Sequence, residues 1–283
     1  MPAAPLADST EWNGEVGKAS WSICCGDAAK MLTAMPAGRF SVTVTSPPYF
    51  WQRDYGVDGQ LGHEETVGAY VESLCGVMDQ VRRVMHRRGV LFLNLGDTYY
   101  SGKGRPHGSD KKHPGRRLKM TRAVDVSGLG MPKKSLIGIP WRVALEMIDR
   151  GWILRSPIVW RRPHAVPEPS VDDRPWRTYE HIFMFVKSRD NWFDRSPLAE
   201  AGVEDVWSLP SQSSRERVHP AVFPAELVDR CLDLVGVRTG AVLDPYAGTA
   251  TTLARAVARG LDAVGVELNR DFCVTAAAAM TAR

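Results

Sequence analysis

The stretch that most constrains the fold lies near the carboxyl end. Ala241-Val242-Leu243-Asp244 is a short apolar run that closes on a carboxylate. Pro245-Tyr246-Ala247-Gly248-Thr249 reads as a tight loop, and Ala250 to Arg259 as a helix stopped by Gly260. Ala263-Val264-Gly265-Val266-Glu267 is a second buried run with an acid at its tip. Strand, small-residue loop, helix and strand make one half of a nucleoside-binding α/β sheet, whose ligands sit at the carboxyl ends of the strands. Glu267 follows Asp244 by 23 residues, suitably placed to take both hydroxyls of a ribose. The dinucleotide fingerprint G-x-G-x-x-G is absent. A loop carrying the extra carboxylate of Asp244 would repel a pyrophosphate and suits a cationic amino-acid tail, such as that of S-adenosyl-L-methionine. The bland alternative is an unliganded α/β unit whose two acids are solvated.

A second stretch completes the picture. Phe40-Ser41-Val42-Thr43-Val44 is a β-branched run that reads as a buried strand. It runs into Thr45-Ser46-Pro47-Pro48-Tyr49, where two prolines end the ladder and hold the residues before them extended. Ser46 offers a hydroxyl, the Pro47 carbonyl an acceptor, and Tyr49 a flat ring. Two acceptors and one stacking face suit a planar group bearing an amine, such as a nucleobase. Ser46 to Tyr49 alone reads equally as an ordinary turn, so its meaning depends on the downstream unit.

Composition excludes several classes. The cysteines are Cys24, Cys25, Cys75, Cys231 and Cys273, an odd number without a Cys-x-x-Cys pair. A disulfide framework or a metal site is therefore not expected, and a cytoplasmic location is. The net charge is only +4, but residues 101–134 carry ten Lys and Arg against Asp110 and Asp125, a local +8 that leaves −4 for the rest. This Gly- and Pro-containing segment reads either as a solvated insertion or as an arm that neutralises phosphates.

The remaining elements are read from periodicity. Residues 1–17 are expected to be a poorly ordered lead to a single domain over 18–283. Ala19 to Cys25 reads as a strand, and Asp27 can cap a helix from Ala28 to about Met35. Glu64 to Arg87 has a helical period, and Gly89 to Asp97 is a second buried strand ending in an Asn/Asp loop. Pro140 opens a helix over Ile139 to Asp149. Trp152–Trp160 and His181–Lys187 read as a hairpin, separated by a loop rich in Pro and Arg, with 188–216 irregular. Ala225 to Val235 is a further helix.

Together the two motifs resemble the amino-methyltransferases of DNA, which methylate exocyclic nitrogens at specific sites. Thr45 to Tyr49 is similar to that family's catalytic motif [DNS]-P-P-[YFW], and Asp244 to Thr252 to its cofactor motif D-P-F-x-G-[ST]-G-T-T. Gly265-Val266-Glu267 resembles its ribose motif, and His219 to Pro224 a further cofactor segment. Tyr246 replaces the usual Phe, and Ala250 stands where glycine is usual, so the loop would sit slightly further from the cofactor. The catalytic motif precedes the cofactor motif, the circularly permuted order called the β group. The resemblance implies a Rossmann-like α/β methyltransferase fold: a mostly parallel seven-stranded sheet with helices on both faces. The strands ending at Cys25 and Ser46 would be the third and fourth, the first two would come from 241–267, and the hairpin would form the antiparallel edge.

The resemblance further implies S-adenosyl-L-methionine as cofactor and double-stranded DNA as partner, and it admits a cognate restriction endonuclease. Asp244 and Gly248 would face the methionine end and Glu267 the ribose, with Pro245, Tyr246 and Thr249 also in the cofactor set. Asp27 and Phe223 would lie near the adenine, unless they serve only as helix cap and core. Thr45 and His219 join the cofactor set, His219 in a structural role. Ser46, Pro47, Pro48 and Tyr49 would hold the base amine. The basic segment, with Lys111, Lys112, Arg116 and Arg117, and the region 161–216, with Arg161, Arg162 and Arg174, would contact DNA, though salt bridges explain those arginines equally. Within the family a Ser before the prolines leans toward cytosine N4 over adenine N6. The rivals are a nicotinamide- or flavin-binding oxidoreductase, whose fingerprint is missing, a catalytically silent DNA-binding protein, and an RNA or protein methyltransferase.

Overall fold

A computed structural model describes residues 11–100, 130–163, 165, 168, 171–196, 204–210 and 223–283. In chain order the elements are β1 (Glu11–Val16), β2 (Ala19–Cys25), α1 (Ala28–Ala34), β3 (Phe40–Thr45), α2 (Val67–Val84) and β4 (Met85–Leu95). They continue with α3 (Ile139–Asp149), β5 (Ile153–Arg161), β6 (Tyr179–Val186), β7 (Val206–Ser208) and α4 (Ala225–Val235). The chain closes with β8 (Ala241–Asp244), α5 (Thr251–Val257), β9 (Asp262–Glu267) and α6 (Arg270–Thr281).

The strands form one sheet in the order β1-β2-β9-β8-β3-β4-β6-β5-β7. From β2 to β4 every neighbour is parallel, and β6 then runs antiparallel to both β4 and β5. The seven strands expected from the resemblance are all present, with β8 and β9 from the chain's end lying between β2 and β3. That placement is the permuted arrangement in three dimensions. Such a buried parallel sheet needs apolar runs and helices on both faces. One apolar layer packs α1, α2 and α3 against the sheet through residues such as Leu32, Tyr70, Leu74 and Val143. The other packs α4, α5 and α6 through Leu227, Leu253 and Cys273.

Three expectations need correction. The lead is not wholly irregular: Glu11–Val16 pairs antiparallel with β2, held by Trp12, the one buried side chain in a strand that is otherwise half-exposed or exposed. The β5–β6 hairpin is not the edge, because β7 pairs parallel with Val159, Trp160 and Arg161. Residues 188–216 therefore contain a strand, though one too short to show a period. The long helix is also trimmed at both ends: Thr66 caps α2 by accepting from Ala69 N, and β4 starts at Met85 without an intervening loop.

Sheet topology fixes where a ligand can sit. From β8 the chain crosses through α5 to β9 on one side, whereas β3 leads through α2 to β4 on the other. The crevice between the carboxyl tips of β8 and β3 is thus the switch point of the sheet. Among the described residues no helix is long and apolar enough to cross a membrane.

Candidate active site

The two motifs meet at that crevice. Ser46, Pro47, Pro48 and Tyr49 line one cavity of about 590 Å³ together with Asp27, Phe223, Asp244, Pro245, Tyr246, Gly248, Thr249 and Glu267. Thr45 lies just beneath it, buried, and donates from Oγ1 to Asp244 Oδ1 at 2.7 Å. His219, Lys111, Lys112, Arg116 and Arg117 lie outside the described residues.

Asp244 is buried at the tip of β8 and accepts three hydrogen bonds: from Thr45, from Thr252 Oγ1 at 2.7 Å, and from Tyr246 N at 3.1 Å. Burial pushes its carboxyl up to about 6, against the pull of these donors. A carboxylate has about four acceptor positions, so three internal donors leave room for roughly one more. Glu267, at the tip of β9, accepts from Gly248 N at 2.9 Å and Asn269 N at 2.8 Å. Burial raises its pKa as well, and the nearby Asp244 adds to the rise. Among the described residues neither acid has a Lys or Arg partner.

The loop between these acids is shaped by small residues. A Cβ on Gly265 would stand 2.7 Å from the Cβ of Ala247, so glycine in β9 lets the loop pack flat. Ala250 caps α5 at φ 65°, in the left-handed region that glycine occupies without strain. Asp27 accepts from Lys30 N at 3.0 Å as the cap of α1 and also faces the cavity. Phe223 is likewise both core and cavity wall.

On the Ser46–Tyr49 side, the Pro48 carbonyl accepts from the hydroxyl of Tyr70 at 2.9 Å, anchoring the proline loop to α2. Tyr49 lies against Gly96, where a Cβ would stand 2.4 Å from the ring. The Tyr49 hydroxyl is 2.7 Å from Glu180 Oε2, 3.0 Å from Asn94 Oδ1 and 3.2 Å from Ser46 Oγ. Burial, then the charge of Glu180, holds the phenol well above its ordinary pKa, so it stays protonated. Asn94 and Glu180 also line the cavity and went unnoticed in the sequence. The aromatic and charged loop Phe50 to Gly56, legible in the sequence only as a loop, brings Gln52, Arg53 and Tyr55 to the cavity with Gln60, and Asn269 Nδ2 ties it to the start of α6 through the Tyr55 carbonyl at 3.2 Å.

Arg161, Arg162 and Arg174, the arginines of the 161–216 region expected to contact DNA, occupy different places. Arg162 lines the cavity and pairs with Glu180 Oε1 at 3.2 Å. Arg174 pairs with Glu168 at 2.7 Å and lies 3.8 Å over the Tyr99 ring. Arg161 is exposed and donates to Ser208 Oγ at 3.0 Å.

The fold and the paired motifs define a methyltransferase of exocyclic amines, and comparison with known proteins agrees. The DNA methylase family model of N6/N4 type matches residues 40–278, so the chain belongs to that family. It is 38% identical over 259 residues to the Type II methyltransferase M.XycI of Xanthomonas campestris pv. cyanopsidis, covering 89% of this chain and 85% of that one. The solved PvuII DNA methyltransferase (cytosine-N4-specific) superposes with a TM-score of 0.70 at 19% identity, covering 91% of this chain and 85% of the other. The M1.HpyAVI complex with S-adenosyl-L-methionine superposes with a TM-score of 0.59 at 14% identity, covering 91% and 98%.

The methyl donor of this enzyme is S-adenosyl-L-methionine. The cavity suits it: the buried Asp244 and the half-buried Glu267, neither with a cationic partner among the described residues, stand at adjacent strand tips, beside the aromatic rings of Tyr246 and Phe223.

Proposed function

We propose that this protein methylates the exocyclic amine of a base in double-stranded DNA at a specific sequence, and that the base is cytosine and the atom N4. The observation that carries the reading is the single cavity walled by both the Ser46–Tyr49 loop and the Asp244 and Glu267 tips. Ser46 before the prolines supports cytosine, as does the N4 specificity of the PvuII enzyme. The Type II methyltransferase relatives support a place beside a restriction endonuclease.

The residue roles follow from what the reaction needs. When bound, the cofactor supplies an electrophilic methyl group on sulfonium. Asp244 and the Pro245–Thr249 loop hold the methionine end, Glu267 the ribose, and Asp27 and Phe223 flank the adenine. An aromatic amine is a poor nucleophile because its lone pair is spread into the ring. Ser46 Oγ and the Pro47 carbonyl, by accepting its N–H bonds, favour a pyramidal nitrogen aimed at the methyl group. Extruding the base from the duplex costs a few kcal/mol. Stacking on Tyr49 returns about 1–3 kcal/mol.

The test is incubation with tritiated S-adenosyl-L-methionine and plasmid DNA, followed by chromatography of the nucleosides. Label in N4-methylcytosine is expected. Label in N6-methyladenine would overturn the choice of base, and no label in DNA would overturn the whole reading.

A further inference from the structure

Resting on the reading of Ser46 as the acceptor for the amine, the structure assigns Glu180 a part in the reaction that no motif announces. We propose that Glu180 is the proton terminus of a chain running from Ser46 through Tyr49, and that it thereby orients the serine hydroxyl toward the base.

The argument is a count of protons. Tyr49 has one O–H. Its hydroxyl faces Glu180 Oε2 at 2.7 Å, Asn94 Oδ1 at 3.0 Å and Ser46 Oγ at 3.2 Å. The carboxylate is the closest and only charged acceptor, and charge-assisted bonds are the stronger ones. The phenolic proton therefore points to Glu180, with Asn94 Oδ1 beside it. Asn94 keeps its own amide turned away, since Nδ2 donates to Glu180 Oε2 at 3.3 Å and to the His181 carbonyl at 3.1 Å. The phenol oxygen is then left as an acceptor, and Ser46 Oγ donates to it. With its proton committed inward, Ser46 can present only lone pairs to the cavity, which is what an amine donor requires. Arg162 Nη1, 3.2 Å from Glu180 Oε1, balances the carboxylate's charge at the far end.

The same chain disposes of the proton that methylation releases. The base nitrogen forms its bond to the methyl carbon, and the methyl–sulfur bond breaks with its electron pair left on sulfur. The nitrogen then holds one proton too many. That proton passes to Ser46 Oγ as Ser46 passes its own to Tyr49 and Tyr49 passes its own to Glu180 Oε2. Nothing is oxidised or reduced. Glu180 acts through Tyr49 and is a positioning residue and proton store, not a group that touches the reacting atoms.

Single-turnover transfer of tritiated methyl to DNA would be measured for wild type, Glu180→Gln, Tyr49→Phe and the double variant. Calorimetry would give each variant's affinity for the cofactor, and gel shift its affinity for DNA. Total label is counted, so the result does not depend on which base is methylated, and a wild type that labels no DNA would remove the functional reading and this one together. Each single variant is expected to slow transfer by about tenfold or more, less than the roughly hundred- to ten-thousandfold of a group that takes the proton directly, with both affinities within about twofold of wild type. The double variant should be no slower than the slower single one, because both break one chain. Wild-type speed in Glu180→Gln, multiplying losses in the double variant, or a loss confined to the affinities would overturn the proposal. Should Glu180→Gln not fold, Tyr49→Phe leaves the Glu180–Arg162 pair intact: slow transfer with unchanged affinities upholds the chain, and wild-type speed refutes it.

Discussion

Thr45 and Asp244 stand 199 positions apart, yet Thr45 Oγ1 donates to Asp244 Oδ1 at 2.7 Å in a buried setting. This bond joins the strand that leads into the Ser46–Tyr49 loop to the strand that leads into the Pro245–Thr249 loop. Replacing Thr45 by Val keeps the shape and removes one of three donors to a buried carboxylate. The expected cost is about 1–3 kcal/mol of stability, read by urea unfolding, with weaker cofactor binding by calorimetry. Thr45→Ser should restore most of both.

Gly96 supports the ring of Tyr49 from below. An alanine there would place its Cβ 2.4 Å from the ring, closer than atoms can stand. Tyr49 must then shift, and its bonds to Ser46 and Glu180 with it. Gly96→Ala is expected to lose about 1–3 kcal/mol of stability, the usual range for overpacking. Methyl transfer should fall more steeply than the melting temperature suggests; a variant with wild-type turnover would show that the ring's position is not critical.

Ala250 adopts φ 65° at the place where the motif that Asp244 to Thr252 resembles has glycine. A left-handed alanine costs on the order of 1 kcal/mol, so Ala250→Gly should raise stability by up to about that amount. The gain is reduced by the extra freedom glycine has in the unfolded chain. A fall in melting temperature would mean that the buried methyl group contributes more through packing than the backbone loses.

These cases show why parts of the molecule were legible and parts were not. Strands β3, β8 and β9 are apolar runs that each end on a marked residue, so both their position and their use could be read from local sequence. β1 could not, because only Trp12 in Glu11–Val16 is buried and the run has no clean alternation. Glu180 was invisible for a different reason. It precedes the apolar part of its strand, and it reaches Tyr49 only because β6 pairs antiparallel with β4, setting Asn94 opposite Ile182. Register between strands 86 residues apart in sequence is not written in either strand. The sequence offers Asp27 as a helix cap or a neighbour of the adenine, and Phe223 as core or the same; the structure makes Asp27 a cap and Phe223 core, and sets both on the cavity wall.

The pH dependence of cofactor affinity should report on Asp244. Burial raises its carboxyl to about 6, so in the free protein it is ionised above that value and neutral below it. Only the ionised form attracts a cationic ligand. Affinity should therefore be level above about pH 7 and weaken as pH falls through 6 toward 5. Glu267, also raised by burial, faces the same cavity and adds its own decline. Asp244→Asn should bind more weakly at pH 8 and lose the part of the slope centred near 6. Calorimetry across pH 5–8 checks this; an unchanged slope would place the methionine tail elsewhere.

The basic segment 101–134 is the remaining test of the DNA reading. Its local charge of +8 stands against −4 on the rest of the chain, so long-range attraction to a polyanion must come largely from here. Each phosphate contact contributes roughly 0.9 to the slope of log affinity against log salt. Converting Lys111, Lys112, Arg116 and Arg117 to Ala is expected to weaken DNA binding at low salt and to flatten that slope by up to about four such contacts. Cofactor affinity should not move, because none of these residues belongs to the cofactor set. Gel shift over a range of salt concentrations separates the outcomes. A uniform loss of affinity with an unchanged slope would mean that the segment acts on the fold and not on phosphates.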